Sequence, residues 1–305
     1  MSKHPAWIKA KIPWGQNFFD VKRMLQRLEL HTVCEEARCP NIGECWNSRT
    51  ATFMILGNIC TRRCKFCAVA KGVPTELDKS EPERIGKAAS ELRLKHLVIT
   101  SVTRDDLVDG GASIFACCIM EARKYNPGCS IEVLIPDFQG NFSALAKVIA
   151  AQPDVLNHNL ETVSRLYPYA RPKADYQRSL TLLRQAKEPP SFPPVDGGVR
   201  GGDILTKSGL MVGLGETVME LLQTMRDLRD LHCDLLTIGQ YLSPSQNHLP
   251  VARYYHPEEF EELKEVGKEM GFRHVESGPL VRSSYHARQQ VSQFPKERTT
   301  RRNYN

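Results

Sequence analysis

From residue 51 onward, short apolar runs alternate with segments whose apolar positions recur every three or four residues. The runs at 51–56, 96–101, 130–135, 154–159, 208–214, 235–241 and 274–281 have the length and composition of buried strands. The segments at 83–95, 113–125, 142–151, 176–187, 218–231 and 257–270 place their apolar residues on one helical face. Strand and helix alternating about six times predicts an α/β fold, because parallel strands need helical crossovers and a sheet covered on both faces. Periodicity leaves a doubly wound sheet and a full or partial barrel open. In either, the chemistry belongs at the C-terminal ends of the strands.

Two regions break the pattern. Residues 1–50 show only a short helical stretch at 21–30 and read as an irregular extension. Residues 188–203 carry four prolines and four glycines, which cannot continue a helix or strand, so this insert reads as a surface loop or a lid. The chain thus divides into an extension (1–50), a main α/β domain (51–292) and a basic tail (293–305) that reads as a solvated end.

Composition narrows the class. The 305 residues are 41% hydrophobic and 25% charged, a soluble globular profile. No apolar run approaches the roughly 18 residues that span a bilayer. The basic N-terminus lacks the apolar core of a secretory signal, so a cytoplasmic protein is expected. The net charge of +6 favours an acidic partner without choosing its kind.

The ten cysteines change the picture, because six of them fall between Cys34 and Cys67. A reducing compartment keeps thiols free, and clustered free thiols bind metal or do redox work. Cys117, Cys118, Cys129 and Cys233 lie in apolar contexts and read as small buried hydrophobes. Cys60, Cys64 and Cys67 follow the first strand as CxxxCxxC. Three thiolates so close suit an iron–sulfur cubane, whose irons prefer soft ligands. Three ligands for four irons leave one iron open to a chelating amine and carboxylate, and the methionyl end of S-adenosyl-L-methionine carries both. Zinc is the alternative, but it wants four closed ligands and the partner pair for Cys64 and Cys67 is missing. Cys34, Cys39 and Cys45 form a second trio, CxxxxCxxxxxC, read as a second cubane or as a zinc site completed by His31.

Both trios, in this order and separation, resemble the lipoyl synthases of the radical SAM superfamily. Other segments agree: Thr100 to Leu107 with Asp109-Gly110-Gly111, Asn157 to Thr162, Lys207 to Glu216, Gln240-Tyr241-Leu242, and Arg282 to Ala287. The likeness covers residues 5–292, and the insert at 188–203 departs from the family's shorter loop. The resemblance implies a partial (β/α)6 TIM-type barrel with two [4Fe-4S] clusters and S-adenosyl-L-methionine. Cys60, Cys64 and Cys67 would hold the radical-generating cluster, with the aromatic Phe66 in its usual place. Cys34, Cys39 and Cys45 would hold a sulfur-donating auxiliary cluster, with Ser284 rather than Ser283 as the fourth ligand. From residues alone, the serine pair reads as a helix cap. The implied reaction inserts two sulfur atoms at C6 and C8 of an octanoyl chain on a lysine of a carrier protein. The implied carriers are the glycine cleavage H protein and the lipoyl domains of 2-oxoacid dehydrogenase E2 subunits. A ferredoxin- or flavodoxin-type protein would supply electrons, and neither membrane nor nucleic acid is expected.

Further residues carry two readings each. Gly110 and Gly111 let the backbone approach the methionyl group, or simply turn strand into helix. Asn159 and Glu161 bind ribose hydroxyls, or cap a helix. Arg171 pairs with a carboxylate, or lies on the surface. Gln240 and Tyr241 line the adenine or acyl pocket, or pack. His158 and His286 read as structural, since hydrogen-atom abstraction needs no general base. Two other functions compete: a radical enzyme that methylthiolates tRNA, and a non-catalytic cluster- or zinc-binding module. The extension is shorter than the separate upstream domain expected of the former. The scaffold is larger than the latter requires.

Overall fold

The protein is described here from a computed structural model covering residues 4–188, 204–292 and 294. The insert and the tail therefore lie outside the described residues, apart from Glu188 and Phe294. The N-terminal extension is more regular than its sequence reads. Helix α1 (Gln16–Arg27) buries Phe18, Val21, Met24 and Leu25 on one stripe. The short strand β1 (His31–Thr32) follows, then α2 (Val33–Glu36), capped by the Thr32 side chain, and α3 (Ile42–Asn47). Trp46 of α3 is fully buried, with its ring 5.0 Å from that of Phe18. The polar start of α1 and the brevity of α2 and α3 hide this packing from any periodicity count.

The main domain begins at β2 (Thr52–Ile55). The cysteine loop after it is pinched by a two-stranded parallel ribbon, β3 (Ile59–Cys60) with β4 (Ala70–Lys71). Then come α4 (Glu81–Glu91), β5 (His96–Ser101), α5 (Ala112–Tyr125), β6 (Ser130–Leu134), α6 (Phe142–Ala150) and β7 (Val155–Asn157). The short α7 (Tyr167–Ala170) and α8 (Tyr176–Lys187) precede β8 (Leu205–Val212). The chain continues through α9 (Val218–Arg229), β9 (Leu235–Gln240), α10 (Pro257–Glu269), β10 (His274–Gly278) and α11 (Ala287–Ser292). The helices match their expected positions closely. Strand β8 starts earlier than expected because Lys207 interrupts the apolar run, yet this lysine is fully buried within the strand.

The large sheet has the order β1-β2-β5-β6-β7-β8-β9-β10. Only β1 is antiparallel, with His31 opposite Met54; every other pairing is parallel. Among the described residues the two edges do not pair, so the barrel stays open as a partial TIM-type barrel. One apolar layer joins β2, β5 and β6 to α4, α5 and α6. A second joins β8, β9 and β10 to α8, α9 and α10. Residues of the opposite strand parity face inward and leave a cavity. A buried polar cluster lies among the strands: Lys207 Nζ is 2.9 Å from Glu132 Oε1, and Glu132 also meets His96 (3.3 Å) and Asn157 (3.0 Å). No helix of the described residues is long and apolar enough to cross a membrane.

Candidate active site

Strand β2 feeds the first cysteine trio into place. After Ile55 the chain turns through Leu56 (φ 69°) and Gly57 (φ 86°), and the buried Glu81 carboxylate accepts from the Leu56 amide at 2.9 Å. The loop is then tied down along its length. Cys60 Sγ accepts from the amides of Arg62 and Thr103, both at 3.4 Å. Arg62 reaches back with both faces of its guanidinium, to Asp105 at 2.8 and 2.9 Å and to Asp137 at 2.6 Å. Lys65 N–H donates to Ala170 O (2.9 Å), and Lys65 O accepts from Leu249 N–H (3.0 Å). His248 Nε2 lies 3.1 Å from Cys67 O, with its other ring nitrogen 2.8 Å from Ser245 Oγ. The loop that ends at Leu249 is therefore fastened to the backbone of the cysteine loop at Lys65 and Cys67.

The second trio sits at the opposite end of β2. Cys34 lies in α2, Cys39 in the following turn and Cys45 in α3. The 280–286 segment closes against them. Asn41 Nδ2 donates to Leu280 O (2.7 Å), Thr52 Oγ1 to Ser284 Oγ (2.8 Å), and Tyr285 Oη to Glu44 Oε1 (3.3 Å).

One cavity of about 890 Å³ is lined by Cys34, Cys39 and Cys45 of one trio and by Cys67 of the other. Cys34, Cys39, Cys45, Ser283 and Ser284 line one side; Phe66, Cys67, Asn159, Glu161, Met211 and Tyr241 line the other. Val98, Leu134, Leu210 and Val281 add apolar wall. Burial pushes the thiols of Cys34, Cys45 and Cys67 up to about 12, and raises those of Cys39 and Cys64. Within each trio the sulfurs are close enough for one thiolate to disfavour another. Such thiols stay protonated until a soft cation replaces the protons. Among the described residues, no three His, Cys, Asp or Glu side chains converge as ligands of a single metal ion. Three soft thiols in each group fall short of the four donors of a closed zinc site and suit the irons of a cluster.

The cofactor-contact expectations separate. Asn159 and Glu161 follow β7, with Asn159 Nδ2 donating to Glu161 Oε1 at 3.1 Å. Asn159 Oδ1 is buried with no partner, which suits an acceptor awaiting a ligand hydroxyl. Glu161 holds a left-handed φ of 68°, a conformation uncommon outside glycine and often found at functional sites. Burial raises its carboxyl, opposed by Arg171, Asn159 and Arg282. Tyr241 presents its ring to the cavity and anchors its hydroxyl on Leu249 O (2.8 Å).

Four expected contacts, Gln240, Gly110, Gly111 and Arg171, lie off the cavity wall. Gln240 spends its side chain on backbone: Nε2 donates to Val212, Tyr241 and Arg253 carbonyls, and Oε1 accepts from Tyr255 N–H. Gly110 and Gly111 turn into α5 at φ 59° and 90°, and a Cβ at either would strike Phe138 or Leu56. Their small size is demanded by packing. Arg171 is not on the surface either; Nη1 donates to the carbonyls of Asn159 and Leu160, each at 2.9 Å. It thereby holds the turn that presents Asn159 and Glu161. His158 bridges Ile135 O and Ser179 Oγ and is structural.

Two site residues escaped the sequence reading. Arg282 lines the cavity between the trios and acts electrostatically on both Cys39 and Glu161. Thr52 lies in an apolar strand and shows its purpose only through Ser284, 232 positions away.

Comparison with known proteins agrees with this geometry. Residues 54–228 match the radical SAM superfamily, and residues 1–39 match the N-terminal domain of lipoyl synthase of that family. The lipoyl synthase of Rubrobacter xylanophilus is 60% identical over 94% of this chain and 86% of its own length. That of Caldanaerobacter subterraneus is 55% identical over 93% and 96%. Among solved structures, the hydrogenase maturase HydG of Carboxydothermus hydrogenoformans (TM-score 0.56, 15% identity) aligns over 73% of this chain and 52% of its own. Methylornithine synthase (TM-score 0.51, 15% identity) aligns over 73% and 63%. The chain thus spans under two thirds of those two solved chains, which share its fold. Identity above half, held across nearly the full length of the curated relatives and joined to both domain matches, shows that this chain belongs to the lipoyl synthase family.

Proposed function

We propose that the two trios divide the work of this family between them across the shared cavity. Cys60, Cys64 and Cys67 would hold the [4Fe-4S] cluster that binds S-adenosyl-L-methionine. Cys34, Cys39 and Cys45, with Ser284, would hold the auxiliary cluster. When bound, these groups supply a 5′-deoxyadenosyl radical that abstracts hydrogen atoms, and the sulfur that replaces them at C6 and C8 of an octanoyl-lysine.

The protein's own residues do the rest. Asn159 and Glu161 offer an acceptor and a carboxylate where a ribose would lie. Phe66 and Tyr241 form a flat apolar wall beside Cys67. Val98, Leu134, Met211 and Val281 line the span between the trios, where burial of an alkyl chain contributes about 0.8 kcal/mol per methylene. His248 and Leu249 bind the backbone carbonyls of Cys67 and Lys65 and so help to hold the cysteine loop in shape. The observation that carries the reading is that one cavity is lined by Cys34, Cys39 and Cys45 and also by Cys67, the last cysteine of the other trio. An octanoyl chain within it meets a source of hydrogen abstraction on one side and of sulfur on the other. Octanoylated carrier proteins, among them the H protein and E2 lipoyl domains, are the proposed substrates, with a ferredoxin- or flavodoxin-type electron donor. Methylthiolation of tRNA is not favoured, since eight relatives at 53–60% identity are lipoyl synthases.

The test is to replace Cys34, Cys39 and Cys45 together by alanine in the anaerobically reconstituted protein. S-adenosyl-L-methionine should still be cleaved to 5′-deoxyadenosine, while mass spectrometry finds no sulfur on an octanoyl-lysine peptide. Lipoyl product from that variant would refute the assignment.

A further inference from the structure

Ser284 reaches the cysteine trio from the far end of the chain, and one side chain meets its hydroxyl there. Thr52, the first residue of β2, donates from Oγ1 to Ser284 Oγ at 2.8 Å. It is 6% exposed and lines the cavity together with Cys34, Cys39, Cys45 and Ser284. Its backbone amide also acts on the Cys34 sulfur. One strand residue thus addresses two of the four groups assigned to the auxiliary site. The other fastenings of this segment, Asn41 to Leu280 O and Tyr285 to Glu44, fix the path of the chain but do not touch the serine hydroxyl.

A backbone anchor alone leaves a serine oxygen free to occupy any of three χ1 wells. Its direction has to come from a hydrogen bond. The rest of β2 is Phe53, Met54 and Ile55, all buried and apolar, so a hydroxyl at Thr52 is costly unless satisfied. Ser284 supplies that partner. If the serine oxygen binds iron as an anion, it has no hydrogen to give, and Thr52 is then necessarily the donor. A donor to a charged oxygen makes a shorter and stronger bond than one to a neutral oxygen.

We infer that Thr52 is a positioning residue of the auxiliary site, whose hydroxyl aims the Ser284 oxygen at the cysteine trio and hydrogen-bonds it as a ligand. This rests on the assignment of Ser284 proposed above. Outer-shell partners of this kind typically change metal affinity 10- to 100-fold.

The experiment uses the full chain with both clusters, without substrate, and follows iron release to a chelator under anaerobic conditions. Mössbauer spectra assign the loss to one cluster or the other. Thr52→Val keeps the shape and removes the donor; it should lose auxiliary iron on the order of tenfold faster than the parent protein. Thr52→Ser should restore the parent rate, and the cluster of Cys60, Cys64 and Cys67 should be unmoved in both. Thr52→Ala gives the same reading if valine packs badly. A parent-like rate in Thr52→Val, or equal acceleration at both clusters, would overturn the inference. Ser284→Ala separates the two levels. If it releases iron at the parent rate, the ligand assignment fails; if it is fast and Thr52→Val is not, only the role of Thr52 fails.

Discussion

Lys207, a charged residue in the middle of an apolar strand, is explained by one partner. Glu132 is fully buried; desolvation alone would raise its carboxyl, but Lys207 and then His96 hold it at about 2. Removing the lysine leaves that carboxylate buried and short of charge. Lys207→Met is expected to cost about 3–5 kcal/mol in a urea titration, and a second change, Glu132→Met, to recover much of it. Loss of under about 1 kcal/mol in the single variant would show the pair to be dispensable. His158 gives a pH dependence of known sign. Burial, with help from Arg171, lowers its imidazole from the usual 6.5 to about 4. Between those values the unfolded chain binds a proton that the native chain does not, so stability rises with pH across this window. It is fully present above 6.5 and is lost as pH falls through 4, by roughly 3 kcal/mol in all. His158→Gln should flatten this part of the stability curve; an unchanged slope would assign the acid sensitivity elsewhere.

At the scale of elements, the clamp of Arg62 on Asp105 and Asp137 joins the cysteine loop to the ends of β5 and β6. The Arg62 side chain is 4% exposed and that of Asp137 1%. Arg62→Met removes the closest charge partner of the Asp137 carboxylate, which is now held at about 2 against desolvation chiefly by Arg62, and leaves it the longer contact to Arg178 at 3.4 Å. The expected result is a loss of about 3 kcal/mol in stability, together with lowered iron content at the cluster of Cys60, Cys64 and Cys67. Full iron loading in that variant would mean that the ribbon of β3 and β4 alone suffices to shape the loop. The elements themselves were largely legible. Helices such as α5, α6 and α9 carry clear apolar stripes, and the strands are apolar runs between them. The contacts were less so. Gln240 shares a strand end with the cavity residues Gly239 and Tyr241, and a one-residue step along a strand reverses the face, whereas Gly110 and Gly111 belong to the turn into α5. Sequence position placed them near the chemistry, whereas packing turned them away from it.

Across the whole molecule, the cysteine trios were legible because their chemistry is written in local spacing. Their common cavity was not, since it arises from the curl of the sheet and from a C-terminal segment laid beside the N-terminal extension. Arg282 and Thr52 belong to this second class, for each is defined by neighbours more than a hundred residues distant. The order of these parts along the chain has a consequence for biosynthesis. The 60–67 loop and the strands that flank it are complete long before residue 280 is made, whereas the wall that closes on Cys34, Cys39 and Cys45 arrives among the last. A polypeptide cut short ahead of that wall would hold the 60–67 loop but lack Arg282 and Ser284, two of the groups that line the cavity. Cys34, Cys39 and Cys45 would then face open solvent where the 281–286 segment now stands, so a late stretch of the chain completes a site begun near its start.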